Sequence, residues 1–322
     1  MSETTPDPYL DNRARADRWS GGVRRISITT PCGSFKIWTR RFGNNPRIKL
    51  LLLHGGPGAT HEYFEPCDAY LPAAGIEFYY YDQLGSYYSE QPDIAALWDL
   101  ERFVDEVEQV RAALGLDAGN FFLLGHSWGG ILALEYALRH QQHLKGLIVS
   151  NMMASIPAYN DYAERVLMPM MDPQVLAEIK RLEAVKDYAN PRYMELLMQH
   201  HYVHHVLRAP LGDWPDPVER AFKHLNQTVY IPMQGPSELG ASGKLAHWDR
   251  SAELNRIRAP TLTIGAQHDT MDPQHMQAMA RALPRGRYLH CPNGSHMAMF
   301  DDQQCYFDGL IGFLRDVDAQ RA

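Results

Sequence analysis

The sequence predicts an α/β protein: a mostly parallel, doubly wound sheet flanked by helices, interrupted by an inserted, mainly helical segment. Three observations carry this reading. Short continuous apolar runs at residues 48–53, 76–81, 121–124 and 144–149 have the pattern of strands buried on both faces. They alternate with stretches of helical apolar spacing, the rhythm that lays strands parallel. The rhythm stops at about residue 151 and resumes near residue 259, so residues 1–150 and 259–322 read as one core and 151–258 as an insertion. A chain of 322 residues is long enough for one such domain with an inserted cap.

Taken in order, the first twenty or so residues are polar and read as a flexible arm or an edge segment. Residues 25–41 alternate polar and apolar around Pro31-Cys32-Gly33, as in an antiparallel hairpin. The run at 48–53 ends in His54-Gly55-Gly56-Pro57-Gly58, and the run at 76–81 ends in Asp82-Gln83-Leu84-Gly85-Ser86. Residues 99–114 form a helix, with Leu100, Phe103, Val104, Val107, Val110 and Leu114 at helical spacing. Strand 121–124, a glycine-rich turn, a helix at 130–139 and strand 144–149 follow. The insertion is rich in Met, His, Tyr and Pro, has no clear buried strand, and shows helical stretches at 173–188 and 192–206. After it come a strand at 261–265, a helix at 273–283, a strand at 287–290 and a terminal helix at 304–317.

Composition narrows the function. A net charge of -7 argues against nucleic acid and gives no reason to expect anionic membranes as partners. The N-terminus lacks the apolar core of a secretory signal, and no run is long enough to span a bilayer. The four cysteines (Cys32, Cys67, Cys291, Cys305) are scattered without a C-x-x-C pair, which suggests neither a disulfide framework nor a zinc site. A cytoplasmic protein is expected. His200, His201, His204 and His205 have i,i+4 spacing, but no carboxylate or cysteine completes a ligand set, so no metal or other cofactor is expected. Nothing in the sequence sets the oligomeric state.

The chemistry concentrates in Gly125-His126-Ser127-Trp128-Gly129, between the apolar run at 121–124 and the helix after it. This fits the G-x-S-x-G nucleophile elbow, where a serine sits on a strained strand-to-helix turn and its glycine neighbours avoid clashes. A serine hydroxyl needs a base, and the base an orienting carboxylate. Both have candidates after later strands: Asp269 past 261–265, and His296 past 287–290. The chain order nucleophile, acid, histidine is that of α/β-hydrolases. Asp272, in the same loop as Asp269, is read instead as an N-cap before Pro273. A developing oxyanion needs two amide donors. The amide of Trp128, directly after the nucleophile, is one; Gly56 supplies the other, with Gly55 in reserve.

These motifs together resemble the prolyl aminopeptidases (proline iminopeptidases), serine peptidases of the α/β-hydrolase fold. The resemblance rests on His54-Gly-Gly-Pro-Gly58, Asp82-Gln-Leu-Gly85, Gly125-His-Ser-Trp-Gly-Gly130 and the Asp269 and His296 loops, and covers the chain from Gly33 onward. It implies hydrolysis after an N-terminal residue, preferably proline, with small peptides or amino acid amides as substrates and no cofactor. An amidase or esterase acting on a small metabolite is the alternative within the fold, and a non-catalytic ligand receptor the alternative outside enzymes. Gly235-Pro236-Ser237-Glu238 is similar to the family stretch whose glutamate holds the substrate's amino group, which implies that role for Glu238; Glu195 is the candidate for the family's second acid. Tyr87-Tyr88 departs from the Gly-Arg pair of many members.

Overall fold

The computed structural model describes residues 19–20 and 22–321. Most of the expected N-terminal arm therefore lies outside the described residues; Trp19–Ser20 forms a short edge strand, β1, antiparallel to β2. Among the described residues, nine strands form one sheet in the order β1-β2-β3-β5-β4-β6-β7-β8-β9. The predicted hairpin is β2 (Val23–Thr30) and β3 (Gly33–Phe42), which joins β5 (Glu77–Asp82) antiparallel. From β5 onward the neighbours are parallel: β4 (Lys49–Leu53), β6 (Phe121–His126), β7 (Gly146–Ser150), β8 (Thr261–Ala266) and β9 (Gly286–Cys291).

The central strands are buried on both sides, and successive residues feed opposite cores. Along β6, Phe121 and Leu123 join the layer packed by Val107, Leu132 and Met276, whereas Phe122 and Leu124 join the layer packed by Phe307, Leu310 and Phe313. Helices Leu100–Ala113, Trp128–His140 and Pro273–Ala282 cover one face, and Gln303–Asp318 covers the other. Asp99 caps the first of these by accepting the Glu101 N–H at 3.0 Å.

The chain between β7 and β8 contains helices and loops and, among the described residues, no strand beyond an isolated antiparallel bridge between Ser155 and Asp249. The predicted helix at 173–188 stops at Ala184, where the chain turns through Lys186 with φ of 55°. The stretch at 192–206 is a helix from Pro191 to Leu197 that widens into a π-helical turn at Met198–Tyr202 before Val203–His205. The inserted segment is tied to the core by Arg220, whose guanidinium reaches Glu62 (2.6 Å) and Glu65 (2.7 Å), and by His224 on Glu62 (2.8 Å). Tyr87, from the departing Tyr-Tyr pair, stacks on the same His224 with ring centroids 3.8 Å apart.

Candidate active site

Ser127 stands at the C-terminal end of β6 with φ of 55° and ψ of -128°, a conformation rare for a residue with a Cβ. The helix starts at Trp128, two residues before the sequence pattern placed it, because the glycines pack inside it and do not break it. A Cβ on Gly129 would lie 2.1 Å from the Leu53 carbonyl oxygen, and one on Gly125 would lie 1.9 Å from the Gly129 oxygen. Strand and helix can approach this closely only without those side chains. Ser127 thereby lines a cavity of about 400 Å³, whose lining also includes Gly55, Gly56, His126, His296 and Glu238.

The structure brings Asp269 and His296 together: Asp269 Oδ1 lies 2.8 Å from His296 Nδ1. Asp269 is buried, and its second oxygen accepts the Asn151 side-chain amide at 2.7 Å. The Met271 N–H adds a bond to Oδ1 at 3.1 Å. Asn151 has a left-handed φ of 52°, just past β7, and no sequence motif singles it out. Burial opposes a charge on His296, but the adjacent Asp269 carboxylate and its hydrogen bond outweigh it, and the imidazole's pKa is raised above its ordinary value. With Nδ1 committed to Asp269, Nε2 is the basic nitrogen. Asp272 plays the expected structural part, its carboxylate accepting the Gln274 N–H at 2.9 Å.

The loop after β4 is fixed on both sides of Gly55. Its N–H donates to the Tyr63 hydroxyl at 2.5 Å, so Gly55, the reserve oxyanion donor, has its amide occupied. Its carbonyl accepts from His54 Nδ1 at 2.9 Å. The peptide plane then aims the Gly56 N–H the opposite way. Gln83, from the Asp-Gln-Leu-Gly motif, secures this arrangement. Its backbone N–H donates to His54 Nε2 (3.1 Å), and its side-chain oxygen accepts from Trp128 Nε1 (2.8 Å).

Glu238 lines the cavity from the inserted segment, with Oε1 accepting the Tyr230 O–H at 2.5 Å. Burial raises its carboxyl pKa against the opposing pull of His296 and the Tyr230 bond. The expectation for Glu195 is corrected. Its side chain is 48% exposed and pairs with Arg192 at 3.1 Å, and it does not line the cavity. On the same helix Met194 and Met198 take the cavity-facing positions, one turn apart, which rotates residue 195 outward. His201 and His205 are buried and do not converge as ligands: His201 Nε2 faces the Glu238 carbonyl (3.4 Å), and His205 Nδ1 faces the His268 carbonyl (3.0 Å). The His205 and Val206 carbonyls accept the His296 and Met297 N–H groups, both at 2.9 Å, so the inserted segment holds the loop that carries the histidine.

Residues 49–303 match the family described as alpha/beta hydrolase fold. A proline iminopeptidase of Elizabethkingia meningoseptica is 59% identical over 297 residues, spanning 92% of this chain and 99% of its own. One from Flavobacterium johnsoniae is 56% identical over 296 residues, with the same coverage. Among solved structures, the proline iminopeptidase of Mycobacterium smegmatis superimposes with a TM-score of 0.79 at 29% identity, covering 92% of this chain and 100% of that one. VinJ gives 0.84 at 29% identity, covering 91% and 98%. With the elbow, the acid–histidine pair and relatives of this similarity in agreement, the chain belongs to the proline iminopeptidase family of α/β-hydrolases.

Proposed function

We propose that this protein is a serine aminopeptidase that releases an N-terminal residue, proline preferred, from small peptides through an acyl-enzyme. Ser127 Oγ attacks the carbonyl carbon and passes its proton to His296 Nε2, while Asp269 holds the imidazole and stabilises its charge. The Gly56 and Trp128 amides receive the oxyanion. His296 then protonates the departing amine, and a water activated by the same nitrogen releases the acyl group and restores Ser127. The observation that carries this reading is the 2.8 Å Asp269–His296 pair, whose histidine lines, with Ser127, a cavity whose acidic lining residue is Glu238. A carboxylate in such a place suits the ammonium of a free N-terminus, and it gives an uncharged ester no advantage. Amino acid amides, which keep that ammonium, are the second substrate class. The four cysteines are free thiols, which suits a reducing cytoplasm.

The test is a panel of aminoacyl-arylamides, amino acid amides and aryl acetates compared by kcat/KM. Prolyl-arylamide should lead. Turnover of acetates alone would make the protein an esterase. No turnover, with no labelling by a serine-directed phosphonate, would make it a non-catalytic binder.

A further inference from the structure

A buried chain of hydrogen bonds joins the loop after β4 to the loop that carries His296. The Gly55 N–H donates to the Tyr63 oxygen (2.5 Å), Tyr63 Oη lies 3.1 Å from His126 Nδ1, and His126 Nε2 lies 2.7 Å from the His296 carbonyl oxygen. A carbonyl can only accept, so Nε2 carries the imidazole proton and Nδ1 of the neutral ring is bare. Tyr63 must therefore donate to Nδ1 while accepting from Gly55, and every bond in the chain has one direction. Tyr63 and His126 are 3% and 1% exposed, so the chain is almost wholly enclosed by protein. Burial also keeps both groups neutral, pushing His126 down to about 3 and Tyr63 well above its ordinary value.

We propose that Tyr63 and His126 are positioning residues that lock the oxyanion loop and the catalytic histidine into one register. The proposal rests on the roles given above to Gly56 and His296. His126 sits between them because it is the residue immediately before Ser127 at the end of β6. Its ring packs 4.8 Å from that of His296. One end of the chain fixes the His54–Gly55 peptide through its N–H, and His54 on the Gly55 carbonyl fixes the adjoining peptide plane, which aims the Gly56 N–H. The other end holds the backbone of His296, whose side chain must meet Ser127 and Asp269 at once. Neither Tyr63 nor His126 exchanges a proton with substrate in this scheme.

Tyr63→Phe deletes one oxygen and leaves the Gly55 N–H and His126 Nδ1 without partners. Loss of an oxyanion donor costs about 10²–10³ in kcat, and misplacement by about 1 Å about 10²; with the donor present but misaimed, a loss of about 10- to 100-fold is expected. It should fall on kcat with KM little changed, and equally on prolyl-arylamide and an aryl acetate, because both reactions use the oxyanion hole and His296. The low-field proton NMR signal of the His296–Asp269 bond should shift as well. His126→Gln, which keeps an N–H for the His296 carbonyl, should retain more activity than His126→Leu. A folded Tyr63→Phe with wild-type kcat and an unshifted signal would overturn the proposal, as would equal losses in the two His126 variants. If the variants do not fold, ¹⁵N NMR of the wild-type protein decides. His126 must stay neutral and protonated on Nε2 between about pH 5 and 8, and an Nδ1–H tautomer or a charged ring overturns the chain of donors. A wild-type protein that cleaves neither substrate would refute the proposed activity, and the ¹⁵N tautomer measurement would still decide the relay.

Discussion

Replacing Glu238 by Gln should change which substrates are accepted without stopping attack by Ser127. Gln keeps the shape of the side chain and can still accept the Tyr230 hydroxyl, so the cavity wall is preserved. What disappears is the negative charge facing a substrate ammonium. Truncating one side of such a buried pair costs about 2–5 kcal/mol, roughly 30- to several-thousand-fold in kcat/KM. An aryl acetate brings no ammonium and should lose little. The stability effect has the opposite sign. Burial raises the Glu238 carboxyl above its unfolded value, so the charged form is disfavoured in the fold. The group contributes most below the unfolded pKa, and its contribution is lost as pH rises through the folded one; near neutrality a neutral Gln should leave Tm unchanged or higher. The assay compares wild type and Glu238→Gln on prolyl-arylamide and on a short aryl acetate near pH 8, with Tm measured alongside. Equal losses on the two substrates, or a fall in Tm that accounts for both, would mean that Glu238 supports the fold and does not read the amine.

Asp269→Asn should lose on the order of 10⁴ in kcat, because the amide favours the wrong imidazole tautomer. Asp272→Asn should cost only about 1 kcal/mol of stability or less as a weakened cap; the reverse ranking in steady-state kinetics would assign the acid wrongly. The acid limb of wild-type kcat/KM should fall above the ordinary histidine value, since His296 must be neutral to accept a proton and Asp269 raises its pKa. In Asp269→Asn burial acts without that carboxylate, so the pH at which the His296 ring protons titrate in NMR should drop; an unchanged midpoint would remove Asp269 as the cause. Gly129→Ala should be strongly destabilising or unfolded, because its Cβ would collide with the Leu53 backbone at 2.1 Å and backbone cannot swing aside. A stable, active variant, judged by thermal denaturation, would contradict the packing described at the elbow.

The core strands were legible because burial on both faces writes itself as continuous apolar runs, and the elbow because its glycines are demanded by backbone contacts. Asp269 and His296 were legible for a related reason: each follows a strand end in the order nucleophile, acid, histidine. Asp272 was recognisable as a cap from the proline after it. Glu195 shows where such reading stops. A resemblance without a motif can suggest an acid, but which residues of a helix face inward is decided by packing: Tyr193, Leu196 and Leu197 bury their side chains, and Glu195 turns to solvent. Asn151 and Tyr63 act through contacts with residues distant in sequence, so no local spacing marks them. Asn151 did leave one trace, its place directly after β7 at the sheet edge where the other site residues gather.

Whether Ser127 forms the covalent intermediate is tested most directly by mass spectrometry of the intact protein after treatment with a serine-directed fluorophosphonate, with peptide mapping and with Ser127→Ala in parallel. One adduct per chain is expected, on Ser127, with His296→Ala slowing its formation. No adduct is expected on Ser127→Ala, whose turnover falls by about 10⁴ to 10⁶ while the fold is retained. An adduct elsewhere, or more than a tenth of wild-type activity left in pure Ser127→Ala, would contradict it.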